Sequence, residues 1–310
     1  MNETATAAEA RRGSLQLSEE AAKNSAARLS MMAAGFLIVL KTATGFITGS
    51  ISVWASLLDS MMDIIASTIN YFAVRAAARP ADEDHTYGHG KAESLAGLVQ
   101  AMVIAASGIF LIRESIRRIV SPNQTSSEWI GVMTMLAAVC ISVGLVARLR
   151  RVARETDSPA LHSDALHYVT DIYTNTGALL ALLIVRLAGW QMADPLISIV
   201  IAFYILWSAA MVGRESIDIL MDRRLPLDVT EQIANIVNRY EAQGVLGFHD
   251  LRTRRSGSQK FIDLHLEVER NMRLEEAHEV TVRVLRTIEA EIPRARVHIH
   301  TDPAKNSRKE

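Results

Sequence analysis

Between residues 30 and 212 the chain carries six apolar stretches, near 30–50, 53–77, 93–116, 128–147, 165–187 and 193–212, and each is close to the length of a bilayer crossing. About 20 apolar residues wound as a helix traverse the hydrocarbon core. Only helices or closed barrels can do so without stranding backbone hydrogen-bonding groups in lipid. The reading is a polytopic α-helical membrane domain over 30–212. The connections are short, and turn signals stand at Gly49-Ser50 and Pro122-Asn123, so consecutive spans must be antiparallel neighbours. Residues 1–29 hold Ala, Glu, Arg and Ser with neither an early apolar core nor a small-residue cleavage site, and read as a polar tail, not a signal peptide.

Orientation follows from the basic residues of the loops. Arg11, Arg12, Lys23 and Arg28 precede the first span, Arg75, Arg79 and Lys91 lie between the second and third, and Arg148, Arg150, Arg151 and Arg154 lie between the fourth and fifth. An excess of Lys and Arg marks the cytoplasmic side, which predicts that both termini are cytoplasmic. The formal net charge of −1 gives no footprint for nucleic acid, whose phosphates call for a basic surface. The lone Cys140 excludes an internal disulfide and a cysteine-based zinc cage. A metal site in this chain must use His and carboxylates.

The second span holds Asp59 and Asp63, and the fifth His167 and Asp171, each pair one helical turn apart on one face. An ionisable residue at the centre of a membrane helix costs roughly 2.5–3.5 kcal/mol on insertion scales, so four need a compensating reason. If the two helices face each other, three carboxylates and one imidazole converge into a tetrahedral site for a divalent cation. The competing reading is that each pair only makes polar contacts between helices. Asp164, three residues before His167, is either a further member of that site or, in the preferred reading, an N-cap of the fifth span. Lys41 has no evident partner in sequence.

The loop after the second span places Asp82, His85 and His89 among flanking glycines that allow a tight fold around an ion. The alternative there is a solvated acidic turn with two incidental histidines. Beyond 213 hydropathy drops, and the pattern gives a helix over 228–243, strands over 245–254 and 260–267 with a turn at Ser256-Gly257-Ser258, a helix over 274–291 and a strand over 296–302. This αββαβ order predicts an α+β domain of ferredoxin or metallochaperone-like type over 213–303, followed by a polar tail over 304–310. Strand alternation buries Ile262, Leu264, Leu266 and Val268 and leaves His265 on the other face, with His298, His300 and Asp302 matching it on the last strand. His249 lies on the remaining strand and His278 on the helix.

These residues resemble the cation diffusion facilitator family, and within it the bacterial zinc/proton antiporters of the YiiP type. The resemblance rests on Asp59-x-x-x-Asp63, His167-x-x-x-Asp171, His85-Thr-Tyr-Gly-His89-Gly-Lys91-Ala-Glu-Ser-Leu, His249-Asp-Leu-Arg-Thr-Arg and Phe261-Ile-Asp-Leu-His265-Leu-Glu. It implies a homodimer in the bacterial inner membrane that exports Zn2+, or Cd2+ or Fe2+, in exchange for protons by alternating access. It further implies a transport site at Asp59, Asp63, His167 and Asp171, a loop site at Asp82, His85 and His89, and a binuclear cytoplasmic site at His249, His265, His278, His300 and Asp302. Lys91 and Asp222 sit where the family places an ion pair that helps hold the dimer. Thr301, standing where a Gln is usual, and the additional His298 are departures. The chain is read as a secondary transporter without an organic cofactor. The rival is a membrane-anchored metal sensor that signals through its cytoplasmic domain without vectorial transport. A metallohydrolase would need a general base beside an open metal position, and no such signature is present.

Overall fold

The computed structural model describes residues 2–48, 51–120, 129–190 and 192–304, and the chain divides into two compact units, Met1–Ile217 and Asp218–Glu310. The turn signals at Gly49-Ser50 and Pro122-Asn123 and the tail beyond 304 fall outside the described residues.

The first unit is built from helices α1 (Asn2–Thr48), α2 (Ile51–Ala77), α3 (Lys91–Val120), α4 (Trp129–Thr156), α5 (Pro159–Ala188) and α6 (Ala193–Leu220), whose last residues pass into the second unit. The segment read as a tail is helical and continuous with the first apolar stretch. It is dense in Ala, Glu, Arg and Leu, which favour the helix, and it contains no proline to stop it. Among the described residues, Leu17–Thr44, Lys91–Val120, Val132–Thr156 and Ala193–Leu220 are long and apolar enough to cross a membrane. α2 and α5, the two helices with ionisable residues at their centres, are not among these four.

Small side chains let these helices approach closely. The cluster joining α1, α4 and α5 is built from Ala26, Ala27, Ala153, Ala160 and Ala165 around Leu149, Leu161 and Tyr168. A Cβ at Gly108 of α3 would lie 3.0 Å from Leu206, so α3 and α6 pack backbone to side chain. The outer surface is apolar: Phe36, Val39, Phe110, Val200, Phe203 and Trp207 are all more than half exposed. An apolar exterior of this extent belongs against lipid.

The second unit has the predicted αββαβ order. Helix α7 (Leu227–Asn238) and a short 3-10 turn (Glu241–Gln243) replace the single helix expected over 228–243, and Gly244, at a left-handed φ of 87°, caps that turn. Strands β1 (Val245–Ser256) and β2 (Gln259–Val268) form an antiparallel hairpin. Helix α8 (Leu274–Glu291) then carries the chain over to β3 (Ala295–Pro303), which pairs parallel to β2. Ile233, Ile236, Val237, Ile262, Leu264, Leu266, Val280, Val284 and Ile288 make the core between the sheet and α7 and α8. The opposite face of the sheet is left to polar side chains.

Candidate metal centre

α2 and α5 bring their central ionisable residues together. His167 Nε2 lies 3.0 Å from Asp63 Oδ1 and 3.9 Å from Asp171 Oδ2. One ligand atom from each of the three falls within 4.8 Å of the others. The imidazole is 4% exposed and the two carboxylates 14% and 24%. Asp59 lies one turn before Asp63 on α2, and its side chain is outside the described residues. Carboxylates gathered among apolar helices are costly unless paired, hydrogen-bonded or bound to a cation. A mixed imidazole and carboxylate set suits divalent ions of borderline softness.

The rung beside this cluster is neutral and hydrogen-bonded. The Tyr168 hydroxyl lies 3.1 Å from Ser67 Oγ on α2 and 3.3 Å from Ser30 Oγ on α1, which fixes the face that α5 turns toward both helices. Asp164 is not an N-cap. α5 begins at Pro159, so Asp164 is a buried residue within the helix, with Ser30 of α1 and Asn70 of α2 beside its carboxylate. Lys41 finds a partner that local spacing does not encode, donating to Ser60 Oγ on α2 at 2.6 Å.

In the loop, the backbone folds around Asp82. Its Oδ1 accepts the His85 amide at 2.7 Å, Gly88 N–H donates to His85 O at 2.8 Å, and Gly88 sits at φ 81°, where a side chain would be strained. The turn brings His85 Nδ1 and His89 Nε2 each to 3.3 Å from the Asp82 carboxylate. The backbone hydrogen bond from His85, helped by the two imidazoles, holds the Asp82 carboxyl below the usual carboxylate range. His85 is largely exposed and His89 mostly covered.

The third grouping lies on the polar face of the sheet. A bulge after His249, with Asp250 at φ 53°, leaves His249 opposite His265, which in turn faces His300 on β3. The three imidazoles stand side by side with ring centroids 5.2 and 4.8 Å apart. Asp302 is their common partner. Its Oδ2 lies 2.8 Å from His265 Nδ1 and 3.4 Å from His249 Nε2, and its Oδ1 lies 3.3 Å from His300 Nε2. The hydrogen bond from His265 holds the Asp302 carboxyl below its ordinary range, with the neighbouring histidines assisting. Thr301 points the other way and bonds Thr281 of α8 at 2.9 Å. His298 sits one register step along, opposite Asp263. His278 is exposed on α8, which packs on the core face of the sheet, and is not among the converging side chains. Lys91 opens α3 in the first unit, whereas Asp222, at φ 55°, lies in the second and comes within 3.5 Å of Arg254.

Residues 27–221 match the family model for the cation efflux transmembrane domain, and residues 225–304 match that for the cytoplasmic domain of cation efflux proteins. The chain belongs to the cation diffusion facilitator family. The cation-efflux pump FieF of Yersinia pestis (strain Pestoides F) is 44% identical over 279 residues, covering 90% of this chain and 92% of that protein. FieF of Yersinia pseudotuberculosis serotype O:3 (strain YPIII) matches to the same extent. A solved structure described as the zinc form of CzrB, a putative zinc transporter, is 31% identical and covers 29% of this chain and 99% of its own, with a TM-score of 0.26. As a cation diffusion facilitator the chain is a multi-pass membrane protein of the cation efflux class, with a cytoplasmic domain that carries the small sheet.

Proposed function

We propose that this protein exports zinc from the cytoplasm in exchange for protons by alternating access, working as a homodimer with six membrane spans and both termini in the cytoplasm of a bacterial cell. The meeting of His167 with Asp63 and Asp171 between two helices of an apolar bundle carries the reading. Asp59, one turn along the same helix, supplies the fourth ligand. Imidazole with carboxylates favours zinc and its neighbours over magnesium or calcium, which prefer all-oxygen sites; cadmium and iron(II) are the nearest rivals. Each of these ligands gives up its proton to bind metal. Metal therefore leaves as protons enter, and the pH gradient drives export.

Asp82, His85 and His89 would take a second ion in the loop. In the cytoplasmic domain His249, His265, His300 and Asp302 would hold zinc that stabilises the paired domains, with His278 joining only where a second chain completes the site. Lys91 and Asp222 would contribute an ion pair to the dimer. The test is zinc flux in proteoliposomes under an imposed pH gradient. Expected are zinc uptake with opposite proton movement in the wild type and baseline flux in Asp171→Ala. Absence of zinc flux in the wild type, with the cytoplasmic domain still responding to zinc, would replace the transporter with the sensor.

A further inference from the structure

On the side of the first unit where α2 ends and α3 and α5 begin, three buried polar side chains from separate parts of the chain touch. Lys23 Nζ of α1 lies 2.8 Å from Glu93 Oε1 in the first turn of α3, with the two side chains only 9% and 2% exposed. The other oxygen, Glu93 Oε2, accepts the hydroxyl of Ser158. Ser158 directly precedes α5, and its Oγ in turn accepts the Leu161 amide at 3.4 Å. That is an N-cap with proline at the first helical position, a strong start signal. The Glu93 carboxylate thus lies between two positive poles, the Lys23 ammonium and the N-terminus of α5. The loop adjoins the same point, since Glu93 N–H donates to Gly90 O and Ala92 N–H to His89 O.

A buried ion pair of this kind is a poor source of net stability, because desolvation offsets most of the Coulomb attraction, and its better-attested use is to specify geometry. The geometry here belongs to α5. His167 follows Ser158 by nine residues, about 13 Å along the axis, so the depth and rotation of that helix decide where His167 and Asp171 stand relative to Asp63. We infer that Glu93, held by Lys23, is a positioning residue for the cation site, fixing α5 through its Ser158 cap. It follows that the segment preceding the first apolar stretch is part of the transport apparatus through Lys23.

The inference rests on the proposed transport site, and one experiment separates the two. Zinc binding is measured by calorimetry on the full-length purified protein carrying His85→Ala, His89→Ala, His249→Ala and His265→Ala, so that the remaining heat reports on the site between α2 and α5. Residues that act on a site through a packed element typically shift its affinity by about 2–30-fold. Glu93→Gln, which keeps an acceptor for Ser158 but loses the charge, and Lys23→Met are each expected to weaken zinc binding about tenfold; both also lower the melting temperature, since each leaves one member of a buried pair uncompensated, so binding is measured well below the transition. Lys23→Arg, which keeps the charge, restores the wild-type constant. Wild-type affinity in both Glu93→Gln and Lys23→Met overturns the inference. So does a loss shared by Lys23→Arg that tracks a fall in melting temperature, since that describes a brace with no say over the ligands. If Asp171→Ala in the same background leaves the binding heat intact, the transport-site assignment fails instead.

Discussion

The cluster between α2 and α5 and the cluster on the sheet use the same two residue types, yet they are built in opposite surroundings. In the helical bundle the imidazole of His167 is 4% exposed, while on the sheet His249 and His300 are 45% and 62% exposed. The buried set is held by packing: α5 is capped, its neighbouring Tyr168 is bonded to two other helices, and His167 has little room to turn. The exposed set is held by register, because strand pairing alone lines up His249, His265 and His300. Burial makes an uncompensated charge expensive, so these carboxylates call for a paired, protonated or cation-bound state. Exposure leaves the side chains on the sheet hydrated, so the fold requires no counter-ion there.

The comparison is most easily broken at its strongest point. Asp63→Ala or Asp171→Ala is expected to bring zinc flux in proteoliposomes to the protein-free baseline, with the protein still eluting as the wild type in detergent. Flux within twofold of the wild type would remove the functional distinction between the two clusters. Next in size, His265→Ala is expected to leave flux measurable but to abolish the rise in melting temperature of the cytoplasmic domain on adding zinc. At a hundredfold excess over the dissociation constant a ligand contributes about 2.7 kcal/mol, or roughly 11–22 °C for a domain of 60–100 residues, so differential scanning calorimetry resolves the loss.

A smaller effect concerns protons. The Asp302 carboxyl is held below its ordinary range by the His265 hydrogen bond. A group with a depressed folded-state value contributes stability that is present above its unfolded value, near 3.9, and lost as pH falls through the folded one. In metal-free protein, the stability advantage of the wild type over Asp302→Asn should hold above about pH 4 and shrink below it; an advantage that grows on acidification would reverse the assigned sign. The smallest effect belongs to Glu291→Gln. It breaks the exposed pair in which Arg239 reaches Glu291 at 2.6 and 2.8 Å, and solvent screening should leave the melting curve nearly unmoved.

Spacing made much of this legible. A one-turn separation is a property of the helix itself, so Asp63 on α2 and His167 with Asp171 on α5 could be recognised before any packing was known. Strand alternation likewise put His265 and Asp302 on one face. Contacts between distant segments were not legible. Nothing local to Lys41 points to Ser60, and nothing local to Lys23 points to Glu93, because those pairs depend on which helices become neighbours. Asp164 misled for a different reason. It looks like a cap before an apolar run, but Ser158 followed by Pro159 is the earlier and stronger start signal, and it carries Asp164 into the helix interior. The first 29 residues read as a tail because their polarity hides a strong helical propensity.

The parallel pairing of β2 with β3 has a consequence for the order in which the sheet is completed. A parallel partner cannot follow through a tight turn and must wait for a crossover, here α8. The hairpin by itself pairs His249 with His265, but Asp302, the oxygen donor they share, joins them only when β3 docks on β2. The grouping of His249, His265 and Asp302 is therefore a property of the closed domain and of no shorter piece of it: its three members meet only after the chain has crossed over through α8.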